Sequence, residues 1–162
     1  MKVMTILVAL DGSREAESAL PTAVALVKQN DGAKVVLVRA IDPATLGGGG
    51  AKKTRLAAIN EAAEYLGDVA AQLREQGVRP VVRSVWYAAA PVAIAGVARD
   101  VKADVIVMAY GRDGDDRLAP GAIAESVMNR TRIPIVLAPA GGTPAAIPAR
   151  VTMARETEMV RA

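Results

Sequence analysis

Histidine, cysteine and phenylalanine are all absent from this 162-residue chain. The first two absences exclude Ser-His-Asp and Cys-His catalysis, Cys/His zinc sites, haem ligation by either residue, and any disulfide framework. Aromatic residues make up only 2%, namely Trp86 and three tyrosines. That leaves few platforms on which single-stranded nucleic acid could stack. Charge of one sign is also scarce: the net charge is +3, and lysines and arginines are dispersed. The expectation is therefore a protein with no nucleic-acid partner. No stretch approaches the roughly 18 consecutive apolar residues of a membrane span, so no membrane partner is expected either.

What is present is apolar and aliphatic. Hydrophobic residues make up 52% and charged residues 23%, too much of the former for disorder and enough for one domain core built from Val, Leu, Ile and Ala. The opening segment, MKVMTILVAL, carries one lysine and no small-residue cleavage site. It reads as a first strand rather than a signal peptide, and a cytoplasmic protein is the expectation.

Val3 to Leu10 is a continuous apolar run that stops at Asp11-Gly12-Ser13. A run without alternation suggests a strand covered on both faces. Ser13 is placed to cap a helix with Ala16, Leu20, Ala23, Val24 and Val27 at helical spacing, and Pro21 requires a kink or a late start. Asn30-Asp31-Gly32 ends that helix, and Lys34 to Ile41 reads as a second buried strand. Pro43 to Gly50, with four consecutive glycines, reads as a loop. Leu56, Ile59, Ala63, Leu66, Ala70 and Leu73 form the clearest helical stripe, closed by Gly77 as a left-handed cap. Val78 to Val85 reads as an edge strand, since Pro80 and Arg83 interrupt it. Val92 to Val101 is a helix and Asp104 to Met108 a fourth strand. A glycine-bearing loop then runs from Ala109 to Pro120, a helix from Pro120-Gly121 through Arg130, and a fifth strand from Ile133 to Ala138.

This β-α-β-α-β-α-β-α-β order implies an α/β fold: a single-domain, open, parallel five-stranded sheet with helices on both faces, Rossmann-like in type. Residues 1–140 would form the domain, and 141–162 a C-terminal extension serving as an interaction arm or an extra strand. In such sheets ligands bind beyond the carboxyl ends of the strands, where the strand order reverses. Asp11 would there accept hydrogen bonds from ribose or an adenine amine, or alternatively only stabilise the turn before the helix. The loop from Gly111 to Gly121 would wrap phosphates with backbone N–H groups, or be a solvated connection. Neither a P-loop nor a G-x-G-x-x-G follows any strand, which excludes the commonest nucleotide motifs.

These residues resemble the universal stress protein family. Val8-Ala9-Leu10-Asp11-Gly12-Ser13 is similar to that family's V-x-x-D-G-S, and Ala103 to Met108 to its A-D-L-I-V-M strand. Gly121 to Val127 resembles G-S-V-A-E-x-V, and Ile133 to Leu137 the closing C-P-V-L-V-V strand. The resemblance implies strand order 3-2-1-4-5, a homodimer paired through the fifth strand (Ile133–Ala138) with a contribution from the tail, and a role in stress response. It also implies binding of ATP or another adenine nucleotide, with or without Mg2+, as a signal. The nucleotide site carries over onto Ala9 and Asp11, onto Ala40 at the end of the second strand, and onto Met108 and Ala109. It continues through Gly111, Gly114 and Gly121 to Ala122 and Ile123. Gly111 and Gly121 keep the nine-residue spacing of the family's G-x2-G-x9-G-[ST] loop, whereas Met108 or Ala109 stands for its first glycine and Ala122 for its hydroxyl residue. Adenine would lie between aliphatic walls and backbone. The alternatives are a dimeric interaction module that binds no nucleotide, and a slow ATPase in which Asp113, Asp115 or Asp116 holds magnesium. No enzyme activity is expected from the first two readings.

Overall fold

The continuous apolar run at the start of the chain has a simple cause. Along β1 (Thr5–Ala9), Ile6 and Val8 enter one layer of the core while Leu7 enters the other. A strand flanked by helices on both faces needs an apolar side chain at every central position. The same division holds in β2 (Lys34–Ala40), where Val35 and Leu37 face one way and Val36 and Val38 the other. In β4 (Val105–Tyr110) Val105 and Val107 oppose Ile106 and Met108.

The computed structural model describes residues 3–46, 51–110 and 121–140. The remaining elements are α1 (Arg14–Glu17), α2 (Ala19–Gln29), α3 (Ala51–Glu75), β3 (Val81–Trp86), α4 (Ala90–Asp100), α5 (Ala122–Met128) and β5 (Ile135–Pro139). The five strands form one sheet in the order β3-β2-β1-β4-β5, with every neighbouring pair parallel. This is the order that the resemblance implies. Helices α1 to α3 cover one face and α4 and α5 the other. Asp104 ties the sheet at its amino end, where its Oδ2 accepts the Thr5 N–H at 2.7 Å.

Several boundaries differ from the sequence reading. The first helix is two segments, because the chain breaks at Ser18 and restarts. Pro21 then sits in the first turn of α2, where an absent N–H costs nothing. That restart also re-phases the stripe, so Ala19 and Leu26 are buried while Leu20 and Val27 are only half-buried. Ser13 caps α1 as expected, its Oγ accepting the Ala16 N–H at 3.1 Å. Within the expected loop from Pro43, residues 43–45 form a single 3-10 turn, and 47–50 lie outside the described residues.

Helix α3 is longer than its stripe suggested, and Leu56, the first residue of that stripe, is 60% exposed. Its 25 residues span about 37 Å at about 1.5 Å per residue, against roughly 17–23 Å for strands of this length. The N-terminal third of α3 therefore overhangs the carboxyl edge of the sheet. Arg55 stacks there on Tyr87 at 4.1 Å from the ring centroid. At its other end α3 stops as expected: Gly77 has φ +86, and the Val78 N–H reaches back to the Leu73 carbonyl at 3.0 Å. Strand β4 runs two residues past Met108, so Ala109 and Tyr110 belong to the sheet rather than a loop. Helix α5 is shorter than expected at both ends, and β5 starts and finishes later. The extension 141–162 lies outside the described residues. Among the described residues no helix is long and apolar enough to cross a membrane.

Candidate functional site

The strand order reverses between β1 and β4, and a crevice of about 420 Å³ opens at their carboxyl ends. Ala9 and Asp11 reach it from the end of β1, and Ala40 from the end of β2. Met108 and Ala109 contribute from β4, and Gly121, Ala122 and Ile123 from the start of α5. Eight of the ten expected site residues thus converge on one volume. The other two, Gly111 and Gly114, lie outside the described residues, as do Asp113, Asp115 and Asp116.

Local chemistry explains how these groups arrive. Asp11 Oδ1 accepts the Ser13 N–H at 2.8 Å, closing a turn that directs the chain from β1 into α1. Among the described residues Oδ2 accepts no hydrogen bond, and Asp11 is exposed. One carboxylate oxygen therefore builds the turn, and Asp11 also lines the crevice. Gly121 caps α5 with φ −61 and ψ 160 and no side-chain hydrogen bond. The opening N–H groups of that helix have no partner within it.

The sequence did not single out other parts of the lining. Val38 and Ile94 supply aliphatic wall, and Ala16, Ala90 and Ala124 keep it open through small side chains. Alternation along β2 is the signal that finds Val38, which shares a face with Ala40. Tyr110, at the end of the longer β4, adds one aromatic residue to a described lining that is otherwise mostly aliphatic. Asp11 is the only charged residue in the described lining.

Arg39 was also missed. It leaves β2 on the face opposite Val38 and Ala40, lies over the Tyr65 ring at 5.2 Å, and packs under the Asp11 turn. Gly12 has φ +89, and a Cβ there would stand 3.2 Å from the Arg39 guanidinium. The backbone conformation demands glycine, while the flexible guanidinium beneath it could shift by the few tenths of an ångström that a Cβ would need. Burial pushes the Tyr65 phenol up from 10.0 to about 12; Glu17 and Asp11 add to the rise, and Arg39 opposes it. Its Oη is buried without a hydrogen-bond partner among the described residues. A phenol raised on folding stabilises the fold fully below its unfolded value near 10 and loses that contribution as pH climbs through 12. Ultraviolet titration of the three tyrosines is expected to show one late phenolate step, which Tyr65→Phe removes. A titration unchanged by that substitution would contradict the assignment.

Comparison with known proteins agrees with this fold. A universal stress protein from Burkholderia pseudomallei shares 26% identity, with a TM-score of 0.66 over 84% of this chain and 96% of its own. One from Archaeoglobus fulgidus, solved in complex with dAMP, shares 24% at a TM-score of 0.63, covering 85% of this chain and 99% of its own. A universal stress protein solved in complex with cAMP shares 19% at a TM-score of 0.63, over 87% and 100%. Curated proteins gave no match. The profile described as the universal stress protein family matches residues 2–139. With that match spanning all five strands and both walls of the crevice, the chain belongs to the universal stress protein family.

Proposed function

We propose that this chain is a stress-response regulatory protein that binds an adenine nucleotide as a signal and does not turn it over. The observation that carries the reading is the convergence of the strand ends, Asp11 and the start of α5 on one crevice at the β1/β4 switch point. Aliphatic walls and Tyr110 suit a planar base, and Asp11 suits a sugar hydroxyl or an amine. Relatives of the same fold that hold dAMP and cAMP support the choice of adenine.

Phosphate would extend toward Gly121 and Ala122 and on to Gly111 and Gly114. Ala122 lacks the hydroxyl of the family's loop, and losing one neutral hydrogen bond costs about 0.5–1.5 kcal/mol, roughly tenfold in affinity. Two arginines and three aspartates fall between Gly111 and Gly121. Asp11 is the one charged residue of the described lining, and with three more aspartates in that stretch polyphosphate would need Mg2+ to offset the carboxylates, whereas a monophosphate would not. Two copies would pair through β5, which occupies one rim of the sheet with β4 as its neighbour.

Native mass spectrometry of freshly purified protein, followed by calorimetry with AMP, ADP and ATP with magnesium present, tests both parts. A dimer carrying or binding adenine nucleotide is expected. Absence of binding by all three nucleotides would refute the receptor reading, and a monomer would refute the pairing.

A further inference from the structure

A second hollow, of about 510 Å³, lies beside α4 and shares no lining residue with the crevice. Its floor is apolar. Trp86, at the end of β3, lies flush on α4: a Cβ at Gly96 would stand 2.6 Å from the indole, so glycine at this position is what lets the ring lie down. Val92 is 43% exposed and Ile133 half-buried beside it. Three guanidinium groups stand around this floor, from Arg99 near the end of α4 and from Arg130 and Arg132 in the turn before β5. Asp100 pairs with Arg99 at 3.5 Å, both well exposed. Arg130 and Arg132 have no hydrogen bond or ion pair among the described residues.

Asp100 offsets Arg99, but Arg130 and Arg132 stand two positions apart in one turn without a partner among the described residues, and a bound anion would relieve their mutual repulsion. What kind of anion is decided by the surroundings. Helices α4 and α5 both end here, so the backbone presents carbonyl ends rather than a cradle of N–H groups. A compact phosphate gains little from such a backbone. An extended chain fits better, with an apolar side chain on Trp86, Val92 and Ile133 and carboxylates reaching exposed arginine forks at the rim. We propose that this hollow docks an acidic peptide segment of a partner protein that carries an aliphatic anchor.

Trp86 is the chain's one tryptophan, so its emission reports on the hollow directly. Full-length protein titrated with a synthetic peptide of Glu-Asp-Leu repeats is expected to show a saturable change in that emission. A Lys-for-acid counterpart should give none. The double reversal R130E/R132E, at exposed positions and checked by its melting curve, is expected to weaken the titration by about tenfold or more. Saturating AMP should leave it unchanged, which keeps this surface separate from the nucleotide crevice. The proposal is overturned by a flat titration, by equal binding to R130E/R132E, or by displacement of the peptide by AMP. It is equally overturned if inorganic phosphate or a single-stranded oligonucleotide changes the emission while the peptide does not.

Discussion

Asp11→Ala is expected to weaken adenine-nucleotide binding about ten- to hundredfold, because a hydrogen bond to a charged group contributes about 1.5–3 kcal/mol. The variant removes two things together. Oδ1 holds the turn through the Ser13 N–H, and Oδ2 is available to a ligand. Asp11→Asn separates them: its single amide oxygen can keep the turn, leaving an NH2 donor where a ligand hydroxyl or amine expects an acceptor. Calorimetry should therefore show weak binding by both variants, while urea unfolding shows Asp11→Asn closer to the parent than Asp11→Ala. If Asp11→Asn binds like the parent and Asp11→Ala loses only stability, the residue serves the turn alone.

Leu7→Ala is expected to cost about 2–5 kcal/mol of folding free energy, whereas Leu56→Ala should change it by less than about 0.5 kcal/mol. Leu7 is fully buried in the middle of the central strand, among Val36, Ile106 and Ile94 of the α4/α5 layer. Truncation there loses burial and leaves a cavity in a region that strands on both sides hold rigid. Leu56 begins the most regular apolar stripe in the chain, yet it lies on the overhang of α3 and is 60% exposed. Urea denaturation of the two variants, read at constant slope, is the measurement. Equal losses would mean that α3 packs along its whole length, contrary to the fold described.

The contrast between these leucines shows what kinds of information a sequence holds. Leu7 stands in an apolar run bounded by Asp11-Gly12-Ser13, and that run is informative because a strand in a covered parallel sheet has no polar face. Gly77 was equally legible, since a left-handed residue at a helix end selects glycine locally. The stripe that starts at Leu56 did not show that its first residue lies in solvent, because periodicity records which face of a helix is apolar but not how far the sheet extends beneath it. Ser18, where α1 and α2 part, carries no strong breaker signal; only Pro21 hinted that the helix restarts. Tyr110 was placed in a loop because strand ends depend on the neighbouring strand, here β5, continuing the ladder to Pro139.

The candidate site divides in the same way. Asp11 and Gly121 stood out as turn and loop residues, and their motifs linked them to a family. Ile94, Ala90 and Arg39 left no such mark, because each matters only through contacts across the sheet. The trio Arg99, Arg130 and Arg132 was invisible for the same reason: the sequence shows dispersed charge, and the packing of α4 beside α5 gathers it. Alternation of strands and helices, the absence of histidine and cysteine, and the caps are local or compositional properties that could be read directly. Which side chains share a crevice or a hollow depends on long-range packing, which brings together groups that no spacing rule connects.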